Sequence, residues 1–373
     1  MSASESQPVD PFSLPFQPPL APMLAKLART IPDGDGWLFE PKWDGFRCII
    51  FRDGNRIELI SRKLRPLGRY FPELLEPIVA ALPDRCVVDG EIVLADRDGG
   101  GLDFDALLQR IHPAQSRVER LAAETPAAYV AFDLLALGDD SLLEVAMTER
   151  RAALCRSIVA NSVVHVTPAS TSRAVAEDWF GRFEGAGLDG IIAKPLGGKY
   201  MAGKRALIKV KHQRTADCVV AGYRIHKDGQ GVGSLLLGLF DADGEMHSVG
   251  VAASFSVARR TELLAELEPR THDALVGHPW RGWAESQTDD QDSKVTAATA
   301  GSRWNAGKDL SFVPIRMGLV AEVSFGQLEN RRFRHGVKFL RWRPDREPES
   351  CRYDQLDVAE AVSFNDFVTG SLS

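Results

Sequence analysis

The segment Glu40–Arg47 reads E-P-K-W-D-G-F-R, a lysine set between strand-forming residues and an Asp-Gly turn, with an arginine five residues on. Lysine at its usual pKa of about 10.4 is a poor nucleophile, but neighbouring cations or burial depress that value until the amine can attack. A tight turn at Asp44-Gly45 would hold Lys42 and return Arg47 towards the same pocket. The segment alone fits equally a hairpin turn with ordinary surface charges. A second pair carries a related signal. Lys209 and Lys211 alternate along I-K-V-K, so both ammonium groups share one face, with Ile208 and Val210 on the other. Two such groups repel unless an anion lies between them.

These side chains need elements to position them. From Trp37 the chain alternates short β-like runs with helical ones. Arg47–Arg52 and Arg56–Ser61 flank Asp53-Gly54-Asn55, a hairpin signal. The spacing predicts a helix over Phe71–Leu82, a strand pair over Cys86–Asp96 broken at Gly90, and a buried strand over Tyr129–Leu135. Helices follow at Thr148–Ala160 and Ser172–Gly185, then a short strand at Gly190–Ala193. Without a regular βαβ repeat, this predicts an antiparallel α+β domain.

After about Gln213 the texture changes. Strands are expected at Cys218–Ile225, Ser234–Phe240 and Glu245–Val251, a helix at Val257–Leu267, a polar stretch at Glu285–Thr299, and strands near Gly318–Phe325 and Val337–Trp342. Five strands and one helix suit a small β-barrel of the oligonucleotide-binding kind, although the strand count alone fits any small β-domain. The Pro-rich residues 1–20 read as a loose arm. The tail from Asp354 to Val368 reads as a small amphipathic helix packing on the barrel.

The length of 373 residues favours two domains. No apolar run approaches a membrane span, and the N-terminus MSASESQPVD has neither a basic start nor an apolar core, so membrane insertion and classical secretion are not expected. Five unclustered cysteines argue against a disulfide framework or structural zinc and fit a reducing cytosol. The net charge of -6, taken alone, argues against a nucleic-acid partner. A binding face is local, however. Residues 199–214 hold six Lys or Arg and no acid, and residues 331–346 hold seven against Asp345, with Phe333, Phe339 and Trp342 between them. Ser61–Arg69 adds Arg62, Lys63, Arg65 and Arg69. Acids gather in Asp289, Asp290 and Asp292 and after Cys351. Any one basic run fits a solvated face; three with interleaved aromatics point to a polyanion, the acids being expected on the opposite face.

Beyond Lys42 the chain carries L-I-S-R at 59–62, V-V-D-G-E-I-V at 87–93, Y-V-A-F-D-L-L at 129–135, D-G-I-I-A-K at 189–194, I-K-V-K at 208–211 and R-W-R-P-D-R at 341–346. In order, spacing and type these resemble the nucleotidyltransferase superfamily of ATP-dependent DNA ligases, RNA ligases and mRNA capping enzymes. From about Pro22 to Cys351 the chain is similar to short bacterial ATP-dependent DNA ligases of the C type, a match carried by FDALLQRIHP, GSLLLGLFDADGEMHSVG and RRFRHGVKFLRWRPDREPESC.

The resemblance implies a two-domain ligase core: an antiparallel-sheet, ATP-grasp-like nucleotidyltransferase domain at 21–212, an OB-fold barrel at 213–350 and a tail at 351–373. It implies ATP as AMP donor, Mg²⁺ or Mn²⁺, and nicked double-stranded DNA as substrate. By resemblance Lys42 becomes the lysyl-AMP, Glu40 reads the adenine, Arg47 and Arg62 meet the sugar and phosphate side, and Phe132 offers a face to the base. Phe132 by itself fits a core phenylalanine equally well. Glu91 serves the ribose or, with Asp189, a divalent metal. Arg205, Lys209 and Lys211 surround the α-phosphate, and Arg343, Asp345 and Arg346 clamp the leaving pyrophosphate as the domains close about a hinge near His212–Thr215. Three positions depart from the family. Asp189 stands where glutamate is usual, Leu207 where a tryptophan is common, and Arg346 where lysine is common. The implied setting is a cytosolic, nucleoid-associated bacterial monomer in DNA repair, following a repair polymerase. The rival readings are an RNA ligase or capping-type enzyme, and a non-catalytic nucleic-acid-binding module.

Overall fold

A computed structural model describes residues 11–95, 101–182, 188, 190–211, 214–285, 311–326, 328–329, 331–333, 336–356 and 364–368. The expectations placed on Asp189, on the 212–213 part of the hinge, on most of the 285–299 stretch and on Asp289, Asp290 and Asp292 lie outside these residues. The chain divides into two units, Met1–His212 with Val358–Ser373, and Gln213–Asp357.

In the first unit the strands are β1 (Leu24–Ala28), β2 (Trp37–Pro41), β3 (Phe46–Asp53), β4 (Arg56–Ser61), β5 (Arg85–Val93), β6 (Ala128–Leu137), β7 (Asp140–Ser141), β8 (Val164–Val166), β9 (Ile191–Pro195) and β10 (Arg205–Val210). They form two sheets: a small one in the order β1-β10-β9-β2, and a large one in the order β4-β3-β5-β6-β7 with β8 beside β6. Pairing is antiparallel except for β1 with β10 and β6 with β8. Helices α1 (Leu75–Ala81), α2 (Phe104–Gln109), α3 (Gln115–Glu124), α4 (Met147–Ser157) and α5 (Arg173–Arg182) complete the unit. Alternation along β3 sends Cys48 and Ile50 into a core with Ile78 of α1 and Leu154 of α4. The same alternation sends Ile49 and Phe51 to the opposite face, where they meet Leu207 of β10 and, at the margin, Ile192 of β9. The two sheets therefore face each other across a shared apolar layer.

Several expectations change. The break expected at Gly90 is absent, and β5 runs through it. A Cβ there would lie 2.3 Å from the Tyr129 ring, so the glycine permits close strand approach instead of a turn. The helix expected over Phe71–Leu82 shrinks to α1, preceded by 3-10 turns at Gly68–Tyr70 and Pro72–Leu74, because Pro72 and Pro77 withhold backbone donors. The arm is not loose over residues 11–20. Phe12 is buried against Phe51, and Ser13 ties to Asp53 and Arg85.

In the second unit β11 (Arg214–Ile225), β12 (Val232–Phe240), β13 (Met246–Ala252), β14 (Val313–Pro314), β15 (Val320–Phe325), β16 (Leu328–Glu329), β17 (Arg332–Phe333) and β18 (Lys338–Trp342) accompany α6 (Val257–Leu267) and α7 (Arg281–Glu285). The main sheet runs β13-β12-β11-β15-β18 with β14 on β11. A parallel bridge from Ala252 to Val337 joins its two ends, which closes the sheet into a barrel. The tail expectation is corrected in part. Leu356 is buried in the barrel core, but α8 (Phe364–Val368) belongs to the first unit, where Phe364 and Phe367 pack on Trp43 at 5.7 and 6.0 Å. The two phenylalanines, three residues apart, supply the apolar face that the aliphatic pattern did not show. No helix of the described residues is long and apolar enough to cross a membrane.

Candidate active site

Register in the small sheet assembles one charged face. Glu40 of β2 lies opposite Ile192 of β9, which lies opposite Lys209 of β10, which lies opposite Leu27 of β1. One row along, Leu38 faces Lys194 and Ala25 faces Leu207. Directly opposed residues share a side, so Glu40, Lys194, Leu207 and Lys209 point together. The Lys42 N–H donates to Gly190 O at 2.8 Å, which holds the chain beside β9 for one more step, and alternation carries Lys42 onto the same side. Leu207, in place of a tryptophan, is buried in the layer between the sheets. Ile208 and Val210 pack in a different apolar cluster, as their alternation with Lys209 requires.

The large sheet supplies the facing groups. Gly45 permits this: a Cβ there would lie 2.1 Å from Ile92 O, so only glycine lets the turn after Lys42 press against β5. Arg47 then lies near the start of β3, opposite Glu91 of β5. Its guanidinium forks onto Asp89, with Nε and Nη2 each donating at 2.6 Å. Asp89 is fully buried and also accepts from the Tyr200 hydroxyl at 2.6 Å, while that hydroxyl accepts from Met23 N–H at 3.0 Å. Burial pushes the Arg47 guanidinium's pKa down, but the Asp89 carboxylate outweighs it and the net direction is up.

Phe132 lies between two such pairs. The Arg47 guanidinium sits 4.3 Å from its ring centroid and Lys194 Nζ 4.9 Å. Lys194 Nζ also donates to Phe132 O and pairs with Glu40 Oε2, both at 2.8 Å. Glu40 is 2% exposed; burial raises its pKa, against the opposing pull of Lys194 and Arg151. Its second oxygen, Oε1, is buried without a hydrogen-bond partner among the described residues. An orphaned acceptor beside an aromatic ring suits a flat ligand carrying a donor.

The remaining expected residues lie in a turn, at or just beyond the ends of β10, and in the second unit. Arg62 is exposed in the turn after β4, and Lys211 is half-buried just beyond β10. Arg205 opens β10 and is exposed, four residues before Lys209 on the same strand. In the second unit Arg343 donates to both oxygens of Asp217 at 3.0 and 2.9 Å and forks onto Asp345. Hydrogen bonding from Arg343 pushes the Asp345 carboxyl down to about 2. Arg346 Nε lies 3.4 Å from Asp217.

Residues 22–211 match the family model described as ATP dependent DNA ligase domain, and residues 228–346 the one described as ATP dependent DNA ligase C terminal region. The chain belongs to the ATP-dependent DNA ligase family. DNA ligase C of Mycobacterium tuberculosis is 53% identical over 365 residues, which cover 96% of this chain and 99% of that one. DNA ligase C2 of Mycolicibacterium smegmatis is 55% identical over 349 residues, covering 93% and 96%. A solved Lig E DNA ligase superposes with a TM-score of 0.52 at 17% identity, covering 87% of this chain and 99% of that chain, and so shares the ligase-core fold. Like its family, this DNA ligase takes AMP from ATP and uses a divalent metal.

The ligase residues fit such a metal in one respect. Among the described residues no three acidic or metal-ligating side chains cluster, but Mg²⁺ in nucleotide sites is usually held by one or two carboxylates together with the phosphates. Glu91, half-buried in β5, is a carboxylate of the kind such a metal would use. Burial raises its pKa to about 7, against the pull of Arg47 and Lys42. A folded pKa above the ordinary 4.5 means that its stabilising contribution is present in full below 4.5 and lost as pH rises through about 7. In metal-free protein, Glu91→Gln is therefore expected to melt above the parent at about pH 8, with the gap narrowing as the pH falls through that pKa. A gap independent of pH in scanning fluorimetry would contradict this environment for Glu91.

Three residues of the ligase site were not assigned from the sequence. Asp89 and Lys194 stand inside D-G-E and D-G-I-I-A-K, so position in a motif could have flagged them. Tyr200 had no such signal; its hydroxyl matters only because the fold lays it on Asp89.

Proposed function

We propose that Lys42 is the nucleophile that takes AMP from ATP, and that the enzyme seals nicks in duplex DNA in three steps. The observation that carries the reading is the facing of two charged surfaces in the first unit, Glu40, Lys194 and Lys209 on one sheet and Arg47, Asp89 and Glu91 on the other. In the first step the Lys42 amine attacks the α-phosphorus and pyrophosphate leaves. Lys209 and Lys211 neutralise charge on the α-phosphate, and Arg47, held rigid by Asp89 and Tyr200, meets the ribose and phosphate side. Glu40 Oε1 accepts from the adenine amino group, with the base against Phe132. Glu91 would hold the metal with Asp189, and the bound metal would neutralise phosphate charge as a Lewis acid. Arg343, Asp345 and Arg346 are assigned to the leaving pyrophosphate. In the second step AMP passes to the 5′-phosphate of the nick, and in the third the adjacent 3′-hydroxyl displaces it. Arg62 and the basic stretches bind duplex phosphates, which predicts little sequence preference.

The reading extends to a cytosolic bacterial monomer in repair, following a polymerase. What supports the compartment is five cysteines, all free. Incubation with labelled ATP and Mg²⁺ or Mn²⁺ should give a covalent protein–AMP band, and addition of nicked duplex should discharge it with strand closure. Label from GTP alone would overturn the ligase chemistry assigned to Lys42.

A further inference from the structure

We propose that Leu64 is an apolar wedge set in a ring of cations, which the enzyme presses against the bases of a nicked duplex. The inference rests on the reading that the turn after β4 faces DNA. That turn is closed tightly. Leu64 N–H donates to Ser61 O at 2.8 Å, Arg65 N–H to Ser61 Oγ at 3.0 Å, and Ser61 N–H to Arg65 O at 2.8 Å, while Ile60 bridges Pro66. Leu64 closes it at φ 58°, in the left-handed region where a Cβ crowds the following carbonyl. The turn between β3 and β4 meets the same demand with Gly54, at φ 61°. Among the described non-glycine residues at positive φ, which are Leu64, Ser254, Asp273 and Arg331, Leu64 is the single apolar one.

Burial does not offset that strain, since the residue is 43% exposed. A strained residue that gains little inside the molecule is more informative than an exposed leucine alone. Its surroundings name the partner. Arg62, Lys63 and Arg65 are all exposed, and residues 61–69 contain no acid. Cations so placed bind phosphates, which leave no site for an aliphatic chain; between the phosphates lie the sugars and base edges of a groove. Apolar side chains set among phosphate-binding cations enter such grooves and part a base step. A nick interrupts the backbone at one step, and a step weakened in this way opens at lower cost.

The test uses the full chain and a nicked duplex carrying 2-aminopurine beside the nick. Leu64→Gly and Leu64→Asn both suit the left-handed turn, so both should fold and melt at or above the parent temperature. Each is expected to bind the nicked duplex roughly tenfold more weakly and to lose the 2-aminopurine fluorescence rise. The slope of log Kd against log salt should stay as in the parent, because an apolar contact releases no counterions. Lys63→Glu with Arg65→Glu should instead flatten that slope. If the double charge variant keeps the parental slope, the turn does not face DNA and the wedge falls with that reading. If it flattens the slope while Leu64→Gly keeps parental affinity and fluorescence, the DNA-facing reading stands and the wedge alone is overturned.

Discussion

Lys42→Ala protein is expected to accumulate no covalent AMP from ATP and to lose sealing of a 5′-phosphorylated nick by at least roughly four orders of magnitude. The loss follows because Lys194 and Lys209, described lysines of that face, do not stand in the place of Lys42. Lys194 is buried and committed to Glu40 and Phe132 O, and Lys209 lies across β9 from Glu40, two strands away from Lys42's own line. Lys42→Arg should fail equally, since a guanidinium keeps the charge but does not attack phosphorus. The fold should survive: Lys42 is half-buried at the end of β2, and its backbone N–H bond to Gly190 is kept by any residue except proline. The discriminating measurement is closure of a nick supplied already adenylated. The third step needs the metal, Arg47 and the DNA grip but no lysyl amine, so Lys42→Ala should retain that reaction. Covalent label on Lys42→Ala, or equal loss on the adenylated nick, would contradict the assignment.

The largest effect on stability is expected at Asp133, next to Phe132 on β6. Its carboxylate receives Arg150 Nε at 2.8 Å and Nη2 at 3.0 Å, and Arg150 is fully buried. The remaining Arg150 donors reach Val145 O, Gly198 O and Met147 Sδ, so one side chain pins α4 to β6 and to the loop before Tyr200. Asp133→Ala would leave a buried guanidinium without its counter-charge, at a cost of about 3–5 kcal/mol. Domains of this size have roughly 5–15 kcal/mol in total, so the melting temperature should fall by about 10 °C or more. Pairing Asp133→Leu with Arg150→Met should recover much of the loss, because no unpaired charge remains. A single variant that melts within about 2 °C of the parent would show that the pair is not a buried, fully desolvated one.

Both expectations concern motif residues, yet their legibility in the sequence differs. The strands around Lys42 were readable because their signals are local. Asp53-Gly54-Asn55 marks the β3–β4 turn, a short apolar run marks β6, and Val257–Leu267 matches α6 residue for residue. The errors were local as well. Gly90 looked like a break because its reason, the Tyr129 ring on the neighbouring strand, lies about forty residues away. The arm looked loose because Phe12 finds Phe51 only once β3 is in place.

The sequence by itself determined the order of the motifs and hence the family, and it pointed to Lys42 as the proposed nucleophile. Lys42, Asp44, Gly45 and Arg47 act through a turn a few residues long, and short-range geometry is written in short-range spacing. The tertiary structure alone decided what holds that site rigid. Arg47 meets Asp89 across 42 residues, Lys194 meets Phe132 across 62, and Tyr200 meets Asp89 across 111. No periodicity encodes those meetings. They exist because strand register is set by burial of the apolar layer between the two sheets, and the polar groups arrive wherever that packing carries them.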